Sequence, residues 1–126
     1  MAEERTKTCL IVDNSRVIRM VVRRILEDLG FAADEAADGK AALERCKAAM
    51  PDAVLLDLNL PKLSGIEFLR ALRRSEGGNR PIVVFCTAEG DAAHMEEALS
   101  EGADEYIVKP FDSEIFHAKL TQVGLL

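Results

Sequence analysis

A chain of 126 residues is expected to form one domain, residues 1–126, with enough length to bury its own core. A hydrophobic share of 48% beside 30% charged residues excludes a disordered tail, and a net charge of −6 argues against DNA, whose non-specific binding needs a basic surface. No stretch is long and apolar enough for a membrane span, and Met1 to Lys7 is mixed in charge, without a signal-peptide core, so it is expected to be a flexible N-terminus. The odd set Cys9, Cys46 and Cys86 has no CxxC spacing and reads as small buried hydrophobes in a reducing cytoplasm.

In chain order, Thr8 to Val12 reads as a buried strand. Asn14-Ser15 can cap a helix running to Leu29, with Ile18, Val21, Val22, Ile25 and Leu29 as its apolar stripe and Gly30 as its stop. Phe31 to Ala36 is an alanine-diluted second strand. Asp38-Gly39 caps a helix from Lys40 to Met50, broken by Pro51. The run Ala53-Val54-Leu55-Leu56 is a third strand ending in Asp57, followed by a Pro- and Gly-punctuated loop. Ser64-Gly65-Ile66-Glu67 is a capping box that opens a helix through Arg74, with Ile66, Leu69 and Leu72 turned inward. Ser75 to Arg80 reads as a flexible loop and Pro81 to Cys86 as the fourth strand. Asp91 to Glu101 is a helix with only Met95 and Leu99 as large apolar residues, expected to be the least firmly held. Glu105 to Val108 is the fifth strand, and Asp112-Ser113 caps a last helix carrying Ile115, Phe116, Leu120 and Val123.

Strand and helix alternate with short connections, which predicts an α/β fold with a parallel sheet covered on both faces. Right-handed crossovers then bring all strand C-termini to one edge. Asp13, Asp57, Thr87 and Lys109 share that edge, where open parallel sheets place their chemistry. Taken singly, an Asp after a strand is a helix cap and a Thr is turn chemistry. Together they fit phosphoryl transfer. Asp57 can serve as an ionised nucleophile, and Asp13 with Asp57 can offer oxygens to Mg²⁺. Lys109 supplies an ammonium and Thr87 a hydroxyl for phosphoryl oxygens.

The segments Leu10-Ile11-Val12-Asp13-Asn14-Ser15, Leu55-Leu56-Asp57, Leu60 to Gly65, Thr87-Ala88 and Lys109-Pro110-Phe111 resemble the receiver domain of bacterial response regulators over essentially the whole chain. With no output domain expected to follow, the chain resembles the stand-alone, CheY-like members. The resemblance implies a flavodoxin-like (βα)5 doubly wound sheet of order 2-1-3-4-5. It implies that Asp57 takes a phosphoryl group from a sensor histidine kinase or histidine phosphotransfer protein. Mg²⁺ would be held by Asp13, Asp57 and the backbone carbonyl of Asn59. Thr87 and Tyr106 match the switch pair through which such domains change partner binding. Lys109 would hold a phosphoryl oxygen, with Lys109-Pro110 a cis peptide. The output partner would be a flagellar or other signalling protein in a chemotaxis-like, two-component phosphorelay. The chain would be a cytoplasmic monomer that catalyses only its own phosphorylation and dephosphorylation.

One departure stands out: where the family carries two adjacent acids after the first strand, the second is here Asn14. A carbonyl oxygen without charge predicts weaker Mg²⁺ binding, not its loss. Asn59 and Glu89 occupy the positions that tune hydrolysis in this family, and their polarity implies a short-lived phosphoryl state. Arg16, Arg19 and Arg23 lie on one helical face, with Arg24 nearby. They read either as a solvated face or as a docking site for the phosphodonor, and His94 and His117 read as ordinary surface residues. Three other readings stay open. An Asp-nucleophile phosphatase needs a second acid where Asn59 stands. A phosphate sink would drain a shared kinase, and an interaction module would work without phosphorylation because of Asn14.

Overall fold

The computed structural model describes residues 6–58, 60–88, 92–109 and 111–126. Strands β1 (Thr8–Val12), β2 (Ala32–Ala36), β3 (Ala53–Asp57), β4 (Ile82–Ala88) and β5 (Glu105–Lys109) alternate with helices α1 (Arg16–Asp28), α2 (Gly39–Ala48), α3 (Gly65–Arg74), α4 (Ala92–Ser100) and α5 (Ser113–Gln122). All strand pairs are parallel and the order is β2-β1-β3-β4-β5, the flavodoxin-like topology expected from the sequence.

Alternation along each strand feeds two cores, because successive side chains leave opposite faces of the sheet. Leu10, Val12, Val54, Leu56, Val83 and Phe85 pack beneath α2, α3 and α4 against Cys46, Phe68, Leu69 and Leu72. Cys9, Ile11, Leu55, Val84 and Ile107 pack beneath α1 and α5 against Val22, Leu26, Phe116 and Leu120. The helix starts follow from their caps. Ser15, Asp38, Ser64 and Asp112 each accept a backbone N–H from the first turn, and Ser64 with Glu67 closes the capping box.

Several expectations need correction. Val21 is 55% exposed, and Leu26 is buried in its place. The buried stripe of α1 is centred on Val22 and Leu26, four residues apart. Val21, one residue earlier, lies about 100° around the helix. Ile115 faces solvent for the same reason, one residue before buried Phe116. α2 stops at Ala48, before Met50. Phe31 precedes β2, its N–H bonded to Leu26 O at the end of α1. α4 buries Ala98, while Leu99 is exposed, and Asp91 lies outside the described residues. The segment expected as a flexible loop after α3 is a chain of turns, held by Gly78 N–H to Ser75 O and Arg80 N–H to Gly77 O. Arg73 adds hydrogen bonds to Gly78 O, Pro81 O and Gly102 O. Of the expected flexible N-terminus, residues 1–5 lie outside the described residues. Lys7 accepts the Ala32 N–H and donates its ammonium to Leu125 O. Among the described residues no helix is long and apolar enough to cross a membrane.

Candidate functional site

Register assembles the site. Val12 pairs with Leu56 and Asp57 with Cys86, so Asp13 emerges from β1 beside Asp57 at the end of β3. Ala88 pairs with Lys109, which brings the β5 lysine to the same edge. Both β4 and β5 run further than the sequence suggested. Thr87 is therefore a buried residue within β4, and Lys109 closes β5. Gly65 seats α3 close to the end of β3, since a Cβ there would stand 2.5 Å from the Asp57 carbonyl oxygen.

Lys109 lies between the two carboxylates. Its Nζ is 2.9 Å from Asp13 Oδ2 and 3.4 Å from Asp57 Oδ1, although it is 96 residues from Asp13 in the chain. Asp13 is fixed at every polar atom. Its N–H donates to Ala36 O at 3.1 Å, and its carbonyl accepts Arg19 Nη1 at 2.6 Å. Oδ1 accepts the Ser15 N–H at 2.8 Å, and Oδ2 takes the lysine. Asn14 next to it is exposed. Beneath the carboxylates the floor is apolar, formed by Ile11, Val12, Ile18, Val22, Leu55 and Phe111.

This environment sets the charges. Burial pushes the Asp57 carboxyl above the usual carboxylate value; the Lys109 ammonium works against that shift and the Asp13 charge adds to it. Burial pulls Lys109 down, but the hydrogen bond to Asp13 and the charge of Asp57 outweigh it, and its pKa is raised. Cys86 at the site's edge is pushed up to about 12, mainly by burial, and so is no nucleophile. Two carboxylates face one ammonium, a negative, hard-oxygen donor set that suits a small divalent cation. Each engaged carboxylate oxygen keeps a second lone pair for such an ion.

Tyr106 lies on β5, half-buried against the core beneath α4. Lys119 from α5 places its Nζ 5.1 Å from the ring centroid and 3.6 Å from Glu105 Oε1, and Gln122 donates to Glu105 Oε2 at 2.7 Å. Asn59, Glu89 and Pro110, and with Pro110 the expected cis peptide, lie outside the described residues.

The arginines divide differently from the expectation. Arg19 binds Glu35 at 2.9 Å, and Arg23 binds Glu35 at 2.6 Å and Ala33 O at 2.9 Å, so both brace α1 against β2. The outward face of α1 carries Arg16, Val17, Met20, Val21 and Arg24. His94 and His117 are both exposed, as expected. The Arg19 contact to Asp13 and the Lys119 contact to Tyr106 were not legible in the sequence. Each joins residues whose proximity depends on how a helix lies on the sheet.

The family model of the response regulator receiver domain matches residues 9–121. A response regulator MprA of Mycolicibacterium vanbaalenii is 40% identical over 111 residues, covering 88% of this chain and 47% of that protein. The chain thus spans about half the length of the curated relatives it matches. Among solved structures, the chemotaxis response regulator CheY4 of Vibrio cholerae superposes with a TM-score of 0.89 at 32% identity, covering 94% of this chain and 99% of that one. The receiver domain of NtrX from Brucella abortus gives a TM-score of 0.84 at 27% identity over 91% of this chain and 96% of that one.

Proposed function

Because the chain belongs to the response regulator receiver domain family of two-component systems, we propose that Asp57 is its phosphoryl acceptor and that Thr87 and Tyr106 convert the modification into a change of partner binding. The observation that carries this reading is Lys109, whose ammonium stands between the Asp13 and Asp57 carboxylates at the sheet edge.

A carboxylate oxygen of Asp57 attacks the phosphorus of a phosphohistidine on a sensor kinase or phosphotransfer protein. The O–P bond forms as the P–N bond breaks, and the imidazole nitrogen leaves with the electron pair and is protonated from solvent. Asp13 and Asp57 would hold Mg²⁺, together with the Asn59 carbonyl. When bound, the ion offsets phosphoryl charge and orients its oxygens. Lys109 neutralises one carboxylate charge before transfer and pairs with a phosphoryl oxygen afterwards. Thr87, buried within β4, would donate its hydroxyl to the same group. Its movement would leave space for the Tyr106 ring to turn inward and alter the surface of α4, β5 and α5. The chain would catalyse only its own phosphorylation and dephosphorylation. Asn59 and Glu89 would guide the attacking water and keep the phosphoryl state short-lived.

Incubation with phosphorylated kinase and Mg²⁺, read by intact-mass spectrometry, should add one phosphoryl group to the wild type and none to Asp57→Asn. Equal labelling of both would overturn the assignment. A pull-down with the phosphorylated chain separates an output switch, which gains a partner, from a phosphate sink, which gains none. A phosphoryl half-life of hours would contradict the roles given to Asn59 and Glu89.

A further inference from the structure

We propose that Arg19 is a positioning residue for Asp13, acting from α1 with Glu35 of β2 as its anchor; the inference rests on the reading of Asp13 and Asp57 as the Mg²⁺-holding pair. Asp13 is the first residue after β1, and its carbonyl lies beyond the last registered pairs, Val12 with Ala36 and with Leu56. Among the described residues no neighbouring strand takes that carbonyl. Arg19 Nη1 does, at 2.6 Å, from a side chain only 15% exposed.

The guanidinium is itself held. Its Nε donates to Glu35 Oε1 at 2.9 Å, and the other oxygen of Glu35 takes Arg23 Nη1 at 2.6 Å. Arg23 in turn donates to Ala33 O and Glu27. A brace therefore runs from the edge strand through two arginines to the backbone of the carboxylate that faces Lys109. It fixes the peptide plane of the β1–α1 turn, and with it the direction in which the Asp13 side chain leaves the backbone. The rigid fork of arginine suits this work because one N–H must reach the carbonyl while another stays on Glu35. A lysine can place a charge near either one but cannot span both.

Asn14 makes the brace matter more. With no charge on the second residue of the turn, Asp13 is the one acid that the β1–α1 turn brings to the site, and no second carboxylate within that turn absorbs a small misplacement. The chemistry of orienting groups behind a metal ligand predicts the scale of the effect: loss of the brace should weaken Mg²⁺ by about tenfold.

The experiment titrates Mg²⁺ into wild type, Arg19→Gln, Arg19→Lys and Glu35→Ala, following the backbone amide shifts of Asp13, Ser15 and Asp57. In parallel, phosphoramidate, a donor too small to need docking, drives phosphorylation at a series of Mg²⁺ concentrations. The expected result is a raised Mg²⁺ dissociation constant in all three variants, with phosphorylation restored by excess metal. Glu35→Ala leaves Arg19 in place and tests the anchor alone, so the proposal survives a failure of Arg19→Gln to fold. Unchanged dissociation constants in folded variants, beside a wild type that titrates normally, would overturn the positioning role and leave the metal site standing. A wild type that shows no Mg²⁺-dependent shift would overturn the metal site, and the brace with it.

Discussion

Asp57 carries a charge that the fold holds at a cost. Its carboxyl is half-buried, lies near Asp13, and is raised above the usual carboxylate value despite Lys109. The folded chain therefore binds the Asp57 proton more tightly than the unfolded chain does. Its ionisation subtracts from stability as pH rises through the folded value, and the penalty is absent below the unfolded value near 3.8. In metal-free buffer, Asp57→Asn should melt higher than wild type at neutral pH. The difference should close as pH falls below about 4. A constant difference across that range, followed by calorimetry, would place the cost elsewhere. The opposite holds at Asn14. Asn14→Asp adds a carboxylate beside Asp13, so the metal-free chain should melt lower. Saturating Mg²⁺ should raise its melting point by more than it raises that of wild type, because tighter binding adds stability by mass action. Thermal melts with and without millimolar Mg²⁺ check both halves.

Helices α1 and α5 carry surfaces that single residues do not explain. On α1 the outward face is apolar at its centre, with Val17, Met20 and Val21 at 68, 60 and 55% exposure, and basic at its ends with Arg16 and Arg24. On the proposed function, these apolar residues clustered beside the site would serve as a docking face for the phosphodonor. Met20→Glu should slow transfer from the phosphorylated kinase about tenfold, the usual scale for a buried contact at an interface. Uptake from phosphoramidate should stay unchanged. Arg19→Glu is a poor test of docking, because it would also break the contact to Asp13. On α5, Lys119 holds the Tyr106 ring from above and Glu105 from the side. Even at the solvent-exposed end of its range a cation–π contact is worth about 0.5–1 kcal/mol, enough to shift a two-state ring by a factor of roughly two to five. Tyr106 is the sole tyrosine in a chain with no tryptophan, so intrinsic fluorescence reports that ring alone. Lys119→Met should move the fluorescence of the free chain toward the value that wild type reaches with beryllofluoride and Mg²⁺. Identical spectra for the two chains would show that Lys119 does not hold the ring.

Across the whole molecule, the central sheet is shared by two cores, and the three thiols report on both. Cys46 lies in one core and Cys9 in the other, with Cys86 on β4 beside Asp57. All are buried; Cys46 is pushed up to about 11 and Cys86 to about 12 by burial, and Cys9 higher still. Neither exposure nor thiolate is available in the native state, so labelling by a disulfide reagent must wait for opening. The three thiols should react together, at a rate that rises with denaturant in step with global unfolding. Early reaction of Cys46 alone would reveal separate opening of the α2 side.

Much of this protein was written into local sequence. The alternation of apolar strands with capped helices determined the class of fold. Ser64 with Glu67, and Asp38, set helix starts through contacts within one turn. Right-handed crossovers send Asp13, Asp57 and Lys109 to one edge whatever the strand register, because handedness follows from chain chirality. Tertiary structure decided the rest. That Lys109 sits between the two acids depends on strand order and register across 96 residues, which no local pattern encodes. That Leu26 faces inward and Val21 outward depends on how α1 rolls onto β1, since both satisfy a helical period. That Arg19 grips Asp13 instead of facing a partner depends on Glu35 arriving from the edge strand. Periodicity records which side of an element is dry. Only packing determines which residues from distant elements meet there.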